Sequence, residues 1–368
     1  MRAAVCRYKY RAPALSLLER LFLDDFWALL ANRVYPRWLA PNLLTISGGA
    51  CIAVATVLTL VHSPWLQGNA PAWVYGANAA LLLCYQTLDG SDGKQARKTA
   101  SGSPVGEILD HGLDAYAVGC ITTMCTDAFA FGLLSPWPWL VLVGAQSAFF
   151  ASNLTLIHHG RMRVDSISVI ELQMAMGACL CATAAWTPAL WLTRLWGVEL
   201  RVLLGAGTVI AMASSAGTGA WDALCSPSSD TRGAVWRQCA SCVAYVVIVG
   251  IAFASLVQQP DASSVAVHML LLMLCSNSCF AEFMARLLLL RLAEWPVHLC
   301  WPGLAFLASF AAIVQVRGGG LGASVCAILA AVAALSHAHF FVWAVRSMAA
   351  ALGVQLFRVK GARSWCRL

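Results

Sequence analysis

Charge is what this sequence has least of. Only 11% of its 368 residues are Asp, Glu, Lys or Arg, against about 25% in ordinary globular domains. That scarcity excludes a soluble domain of this length, because 60% hydrophobic residues and a mean hydropathy of +0.72 leave too little polar surface to face water. Also missing is any cysteine pattern that would build a zinc site. The 15 cysteines stand singly, mostly inside apolar runs, where Cys acts as a small hydrophobe. Cys239 and Cys242 form a lone CxxC with no second pair or nearby His. The pairs His158–His159 and His337/His339 are equally unsupported as metal sites, and Asn153-Leu154-Thr155, a glycosylation match, is idle at the end of an apolar run. No internal repeat is visible, which argues against an inverted-repeat transporter. The first forty residues hold no early apolar core of a cleavable leader, so the first span, after Pro41, is expected to direct insertion itself.

What is present is a succession of apolar windows. Membrane-length segments can be drawn at 42–62, 71–90, 105–134, 136–157, 167–192, 198–219, 236–257, 263–290, 296–316 and 320–350. The expectation is an all-α, polytopic membrane protein with about ten transmembrane helices. Residues 1–41 form an N-terminal segment in which "LSLLERLFLDDFWALLANRVY" sets Leu, Phe and Trp apart from Glu19, Asp24, Asp25 and Arg33. This suits an amphipathic helix, lying either on the membrane surface or on the protein's own core. A six-helix core at 42–220, a polar link at 221–235, a four-helix unit at 236–352 and a basic tail at 353–368 complete the division.

Orientation follows from Lys and Arg. With the N-terminus cytoplasmic, all of the 24 Lys and Arg except Arg194, Arg201 and Arg317 fall on the cytoplasmic side. The net charge of +7 then reflects insertion and anionic lipid, with no nucleic acid needed.

The few charges cluster. "LDGSDGKQARKTASGSPVGEILDHGLD", Leu88 to Asp114, sets four aspartates, a glutamate and a histidine against two of the windows. Ionisable groups at a bilayer boundary are costly and usually pair, bind ions or do chemistry. On a helix Asp89 and Asp92 share a face, and Gly106, Asp110 and Asp114 recur along one face of the next. Packing those faces together brings four carboxylates into one pocket. Like charges so close need compensation, and hard oxygen donors suit two Mg²⁺ or Mn²⁺ ions, an arrangement fitted to substitution at phosphorus. Gly93 and Ala96 leave room for a ligand against the helix, Arg97 offers a two-pronged phosphate contact, and Lys94 and Lys98 add point charges. Glu107 lies one turn from His111, which makes the imidazole a candidate general base. Singly, each residue has a plainer role: a helix cap, a packing glycine, a positive-inside anchor. The spacing Asp89-x2-Asp92-Gly93-x2-Ala96-Arg97-x8-Gly106-x3-Asp110-x3-Asp114 is too long for coincidence.

That spacing resembles the signature of the CDP-alcohol phosphotransferase family, with no fixed position missing. "YQTLDGSDGKQARKTASGSPVGEILDHG", with "YKY" at Tyr8 to Tyr10 and "APNLLT" at Ala40 to Thr45, is similar to its eukaryotic choline/ethanolaminephosphotransferase branch. The likeness is weak at Val164 to Gln173 and Ser276 to Glu294. The resemblance implies the CDP-alcohol phosphotransferase fold, a six-helix core with four added helices. The activity implied is transfer of phosphocholine or phosphoethanolamine from CDP-choline or CDP-ethanolamine to diacylglycerol, releasing CMP. Asp89, Asp92, Asp110 and Asp114 would hold two ions, Mg²⁺ or Mn²⁺. Asn42, Gly93, Ala96, Arg97 and Gly106 would surround the CDP moiety. His111, supported by Glu107, would take the acceptor proton, with Asp114 as rival base. A homodimer in the endoplasmic reticulum or Golgi membrane, its site facing the cytoplasm, is implied as well. An ion-coupled transporter is the alternative from another class; it explains the aspartates but not Gly93, Ala96 and Arg97 at fixed spacing.

Overall fold

A computed structural model describes residues 15–160, 162–163, 168–225, 229–259, 261–294, 302–316 and 320–359. Tyr8 to Tyr10, the first residues of Val164 to Gln173, Arg317, the middle of the 221–235 link and the end of the basic tail lie outside the described residues. The first helix, α1, runs unbroken through Glu19–Leu23, Asp24–Leu29 and Leu30–Val34, with π-turns at both ends. Longer helices follow: α2 (Pro41–His62), α3 (Ala72–Thr99), α4 (Pro104–Ala128), α5 (Pro136–His159), α6 (Val169–Trp186), α7 (Leu200–Leu224), α8 (Ser229–Val257), α9 (Ala262–Ala293), α10 (Pro302–Val316) and α11 (Gly320–Leu352).

Each of the ten apolar windows falls on one of these helices, so the chain is an all-helical integral membrane protein. Among the described residues seven helices are long and apolar enough to cross a membrane: α2, α5, α6, α7, α8, α9 and α11. The exceptions have physical reasons. At 28 and 25 residues α3 and α4 are long enough but carry the clustered charges, and α10 has 15 residues, short of the ~20 a bilayer core asks. The window at 167–192 is not one helix. It stops at Trp186, and a 3-10 turn at Pro188–Leu192 follows. Beyond it comes a two-residue antiparallel hairpin that the sequence reading did not anticipate, β1 (Arg194–Leu195) with β2 (Val198–Glu199). Trp196 and Gly197 both take positive φ, 52° and 82°, as the tightest hairpin turns require.

Local signals place the helix ends. Pro41, Pro104 and Pro136 open α2, α4 and α5, where a missing N–H costs nothing. Ser103 caps α4 by accepting from Gly106 N at 3.0 Å. Ser168 and Glu171 form a reciprocal capping box on α6. Glu171 Oε1 also accepts from Leu18 N at 2.8 Å, linking α6 to the start of α1.

α1 does pack on the protein's own core. Leu23, Trp27 and Ala31, four residues apart, are buried, whereas Leu21, Phe22, Phe26 and Leu29 are exposed on its other side. The Trp27 ring lies on Gly90 of α3, where a Cβ would come within 2.4 Å of Cε2. Lys94 pairs with Asp24 at 2.5 Å, and Lys98 Nζ donates to the carbonyls of Ala31 and Tyr35 at 2.7 and 2.5 Å.

α2 packs along both α3 and α4, which touch each other little, so a gap opens between them. On its other side α4 meets α9. Phe341 of α11 covers Gly112, where a Cβ would sit 2.2 Å from Cε2, and the Asn277 side chain fills the space over Gly119. Asn277 Nδ2 donates to Tyr116 O at 2.9 Å, and Tyr245 donates to Gln146 Oε1 at 2.6 Å, so these buried polar groups are paired. At the far end of α4, Asp127 accepts from Ser63 Oγ at 2.5 Å, Gly68 N at 2.8 Å and Tyr75 OH at 3.0 Å. That carboxylate pins the loop between α2 and α3 to α4.

Candidate active site

The gap between α3 and α4 is where the aspartates meet. Carboxylate oxygens of Asp89, Asp92 and Asp110 lie within 4.8 Å of one another, as do ligand atoms of Asp110, His111 and Asp114. Asp110 belongs to both groups. Helix periodicity explains this, since three- and four-residue steps keep each pair on one face. α2 supplies the spacing and one contact: Thr45 Oγ1 donates to Asp92 Oδ2 at 2.5 Å. Tyr85, one turn before Asp89, donates to Asp114 Oδ1 at 2.6 Å across the gap. The sequence reading missed Thr45 and Tyr85 as site residues, although both lie in the quoted runs "APNLLT" and "YQTLDG".

The donor set fits a divalent cation. Like charges this close repel strongly. Asp110 Oδ1 is buried without a hydrogen-bond partner, and so is His111 Nδ1. Carboxylate oxygens are the ligands that hard cations take.

The aspartates, His111, Gly93, Lys94 and Arg97 line one end of a cavity of about 510 Å³. The cavity continues between α4, α5, α6 and α7 past Thr122, Phe129, Pro138, Met176, Leu204 and Met212. One end is therefore acidic and basic by turns, and the rest largely apolar. α1 closes over the charged end with Glu19, Asp24 and Trp27.

The other expected site residues divide. Arg97 is exposed at the cavity, and no hydrogen bond or ion pair holds it among the described residues. Gly93 is open enough that a Cβ would meet only Arg97 Nη1, at 3.7 Å. Ala96 is half-buried on α3 and does not line the cavity. Asn42 and Gly106 are neighbours at the helix starts, a Cβ on Gly106 lying 3.4 Å from Asn42 Oδ1. Asn42 lines a smaller recess with Ser101, Ser103 and the segment after α11. Glu107 is buried and ion-paired with Arg291 of α9. Among the described residues no hydrogen bond joins it to His111, and its Oε2 is unpartnered. Lys94 and Lys98, read as point charges for phosphate, are engaged by α1 instead.

The family model described as CDP-alcohol phosphatidyltransferase matches residues 38–221, a stretch that contains every one of these site residues. Among curated proteins the chain is 38% identical over 162 residues to choline/ethanolaminephosphotransferase 1 of Arabidopsis thaliana, covering 42% of this chain and 41% of that one. It is 33% identical over 215 residues to cholinephosphotransferase 1 of Gallus gallus, covering 57% and 62%. With cholinephosphotransferase 1 of Homo sapiens it shares 32% over 184 residues, covering 50% and 45%. The chain thus spans about half the length of these relatives.

Proposed function

The chain belongs to the CDP-alcohol phosphatidyltransferase family, and on that premise we propose that it transfers phosphocholine or phosphoethanolamine from the CDP-alcohol to diacylglycerol, forming phosphatidylcholine or phosphatidylethanolamine and releasing CMP. The observation that carries this reading is the facing of Asp89 and Asp92 on α3 by Asp110 and Asp114 on α4, at one end of a cavity with apolar walls. A water-soluble diphosphate and a lipid alcohol need just such a two-natured site. The names of the relatives support the head groups.

Asp89, Asp92, Asp110 and Asp114 would hold two divalent cations, Mg²⁺ or Mn²⁺. Bound there, the ions would supply positive charge to the diphosphate and the departing CMP. Arg97 grips a donor phosphate with two parallel N–H groups, and Gly93, without a side chain, lets the donor lie close to α3. Asn42 and Gly106 bound the CDP moiety, with Ala96 behind it. The apolar length of the cavity takes the acyl chains of diacylglycerol, so the acceptor hydroxyl arrives at the charged end from the membrane side. His111 takes the proton from that hydroxyl, whose oxygen forms a bond to the phosphorus bearing the alcohol as the bond to CMP breaks. Glu107, held by Arg291, is assigned to steady α4 one turn before His111.

The catalytic unit is the six-helix core at 42–220, the chain acts as a homodimer, and the site opens to the cytoplasmic face of the endoplasmic reticulum or Golgi membrane. Labelling a single cysteine beside Lys98 in sealed vesicles tests the orientation; modification from the lumenal side alone reverses it. The activity is tested with purified protein and both donors. CMP release from CDP-choline or CDP-ethanolamine that depends on diacylglycerol is expected, and no release from either donor refutes the reading.

A further inference from the structure

α11 ends by reversing the chain. Gly353 takes a left-handed φ of 63°, its N–H donates to Ala350 O at 3.2 Å, and Val354 N donates to Ala349 O at 3.0 Å. This paired termination turns the backbone back across the helix end. The next residues therefore do not run off into solvent. Val354 and Leu356 pack into the apolar cluster that holds Val105, Ile108 and Leu109 of α4 with Met348 and Leu352. Gln355 and Phe357, between and after them, face outward. The Leu356 carbonyl accepts from Asn42 Nδ2 at 2.9 Å. A segment 314 residues further along the chain thus lies over the start of both α2 and α4, and the small recess there is walled by Asn42, Ser103, Gly353 and Leu356.

The bond has a consequence for Asn42. A side-chain amide can turn over and exchange its oxygen and nitrogen at little cost, so its orientation is set by whatever engages it. With Nδ2 held by Leu356, Oδ1 is the end that sits beside Gly106. We infer that the segment Gly353–Leu356 is a positioning strap for the donor site, fixing the Asn42 amide against Gly106. The strap rests on the assignment of Asn42 and Gly106 to the CDP moiety made above. It lies outside residues 38–221 that the family model matches, so it is a contribution of the C-terminal part of this chain to a site whose other residues come from the matched part.

The test uses the full-length chain and uncharged substitutions, which avoid simple repulsion of an anionic donor. Leu356→Asn and Val354→Asn remove the apolar anchors; Leu356→Met keeps one, and Phe357→Asn changes an exposed neighbour. Donor KM, acceptor KM and kcat are measured for CMP release, and CDP affinity is followed separately by thermal shift with Mg²⁺. The expected result is a rise of about fivefold in donor KM and in the CDP dissociation constant for the two Asn variants, the size of one lost hydrogen bond. Acceptor KM and kcat stay near wild type, Leu356→Met restores the donor constants, and Phe357→Asn leaves them alone. Unchanged donor constants overturn the strap. So does a fall in donor KM, which would make the segment an obstruction, or an equal loss across all three parameters, which would make it merely structural. CDP binding keeps the two readings apart: a wild-type chain that releases no CMP fails the proposed activity, while the CDP shift still decides the strap.

Discussion

Asp110 stands at the junction of both acidic groups, so removing its charge should have opposite effects with and without metal. Two unit charges 4.8 Å apart repel by about 3.5 kcal/mol at an effective dielectric of about 20. Asp110 faces Asp89 and Asp92 on one side and Asp114 on its own helix. In a chelator the cluster relieves part of that repulsion by taking up protons, yet an amide at 110 should still return roughly 1 kcal/mol or more to the folded state. For a chain of this size that is a rise in melting temperature of about 1–3 °C. Adding Mg²⁺ reverses the order. Ligands that bind only the folded state stabilise it by an amount that grows with the logarithm of concentration over dissociation constant, and Asp110→Asn has lost an anionic ligand common to both groups. The wild type should gain markedly on titration with Mg²⁺, the variant little, and its CMP release should fall by orders of magnitude. The assay is thermal unfolding of detergent-purified protein in chelator and across a Mg²⁺ series. A variant less stable than wild type in chelator, or one stabilised by Mg²⁺ as strongly as wild type, refutes the reading of this cluster as a metal site.

Three further outcomes are expected. His111→Ala should cut turnover strongly while CDP and metal still bind, whereas Asp114→Asn should weaken metal binding along with rate; near-normal turnover in the first variant with loss of only the chemical step in the second makes Asp114 the base. Gly90→Leu drives a side chain into the Trp27 ring and should lift α1 at a cost of about 1–3 kcal/mol, seen as faster proteolysis between residues 15 and 40; protection equal to wild type would place α1 elsewhere. Glu107→Gln alone leaves Arg291 charged and unpaired at a largely buried position, 16% exposed, and should destabilise by about 3 kcal/mol. The double variant Glu107→Gln with Arg291→Met should recover most of that, and additive losses in the cycle would show that the pair does not couple.

Much of this architecture is local and therefore legible. Ten apolar windows became ten helices because hydropathy over a membrane-length window is a property of neighbours in sequence. The meeting of Asp89 and Asp92 with Asp110 and Asp114 follows from helical steps on two adjacent segments joined by a short turn at Gly102. What escaped are contacts between distant segments. Glu107 lies 184 residues from its partner Arg291, so its sequence neighbour His111 looked the better match. Lys94 and Lys98 sit in a phosphate-binding pattern, but α1 folds back on α3 and offers them Asp24 and two free carbonyls at its end first. Thr45 and Tyr85 were in view as letters of a motif; their hydrogen bonds to Asp92 and Asp114 exist only once α2 is packed on α3 and α4 faces α3. The hairpin at Arg194 to Glu199 was hidden because two residues per strand carry no periodicity.

The two anchors on α4 limit how the active site can move. Near one end Glu107 is tied to α9 through Arg291, and near the other Asp127 is tied to three groups of the α2–α3 loop and α3. Between them Gly112 and Gly119 seat Phe341 and Asn277 like teeth in a rack. Sliding this helix by one turn, about 5.4 Å, would disengage every one of these contacts together. α4 is thus the fixed jaw. Any tightening of the carboxylates around a bound diphosphate must come from α3, which faces it across a gap and is joined to it by the hydroxyls of Tyr75 and Tyr85 rather than by interlocked packing. The travelling parts are then Asp89, Asp92 and Arg97, and α1, fastened to α3 through Trp27, Lys94 and Lys98, rides with them.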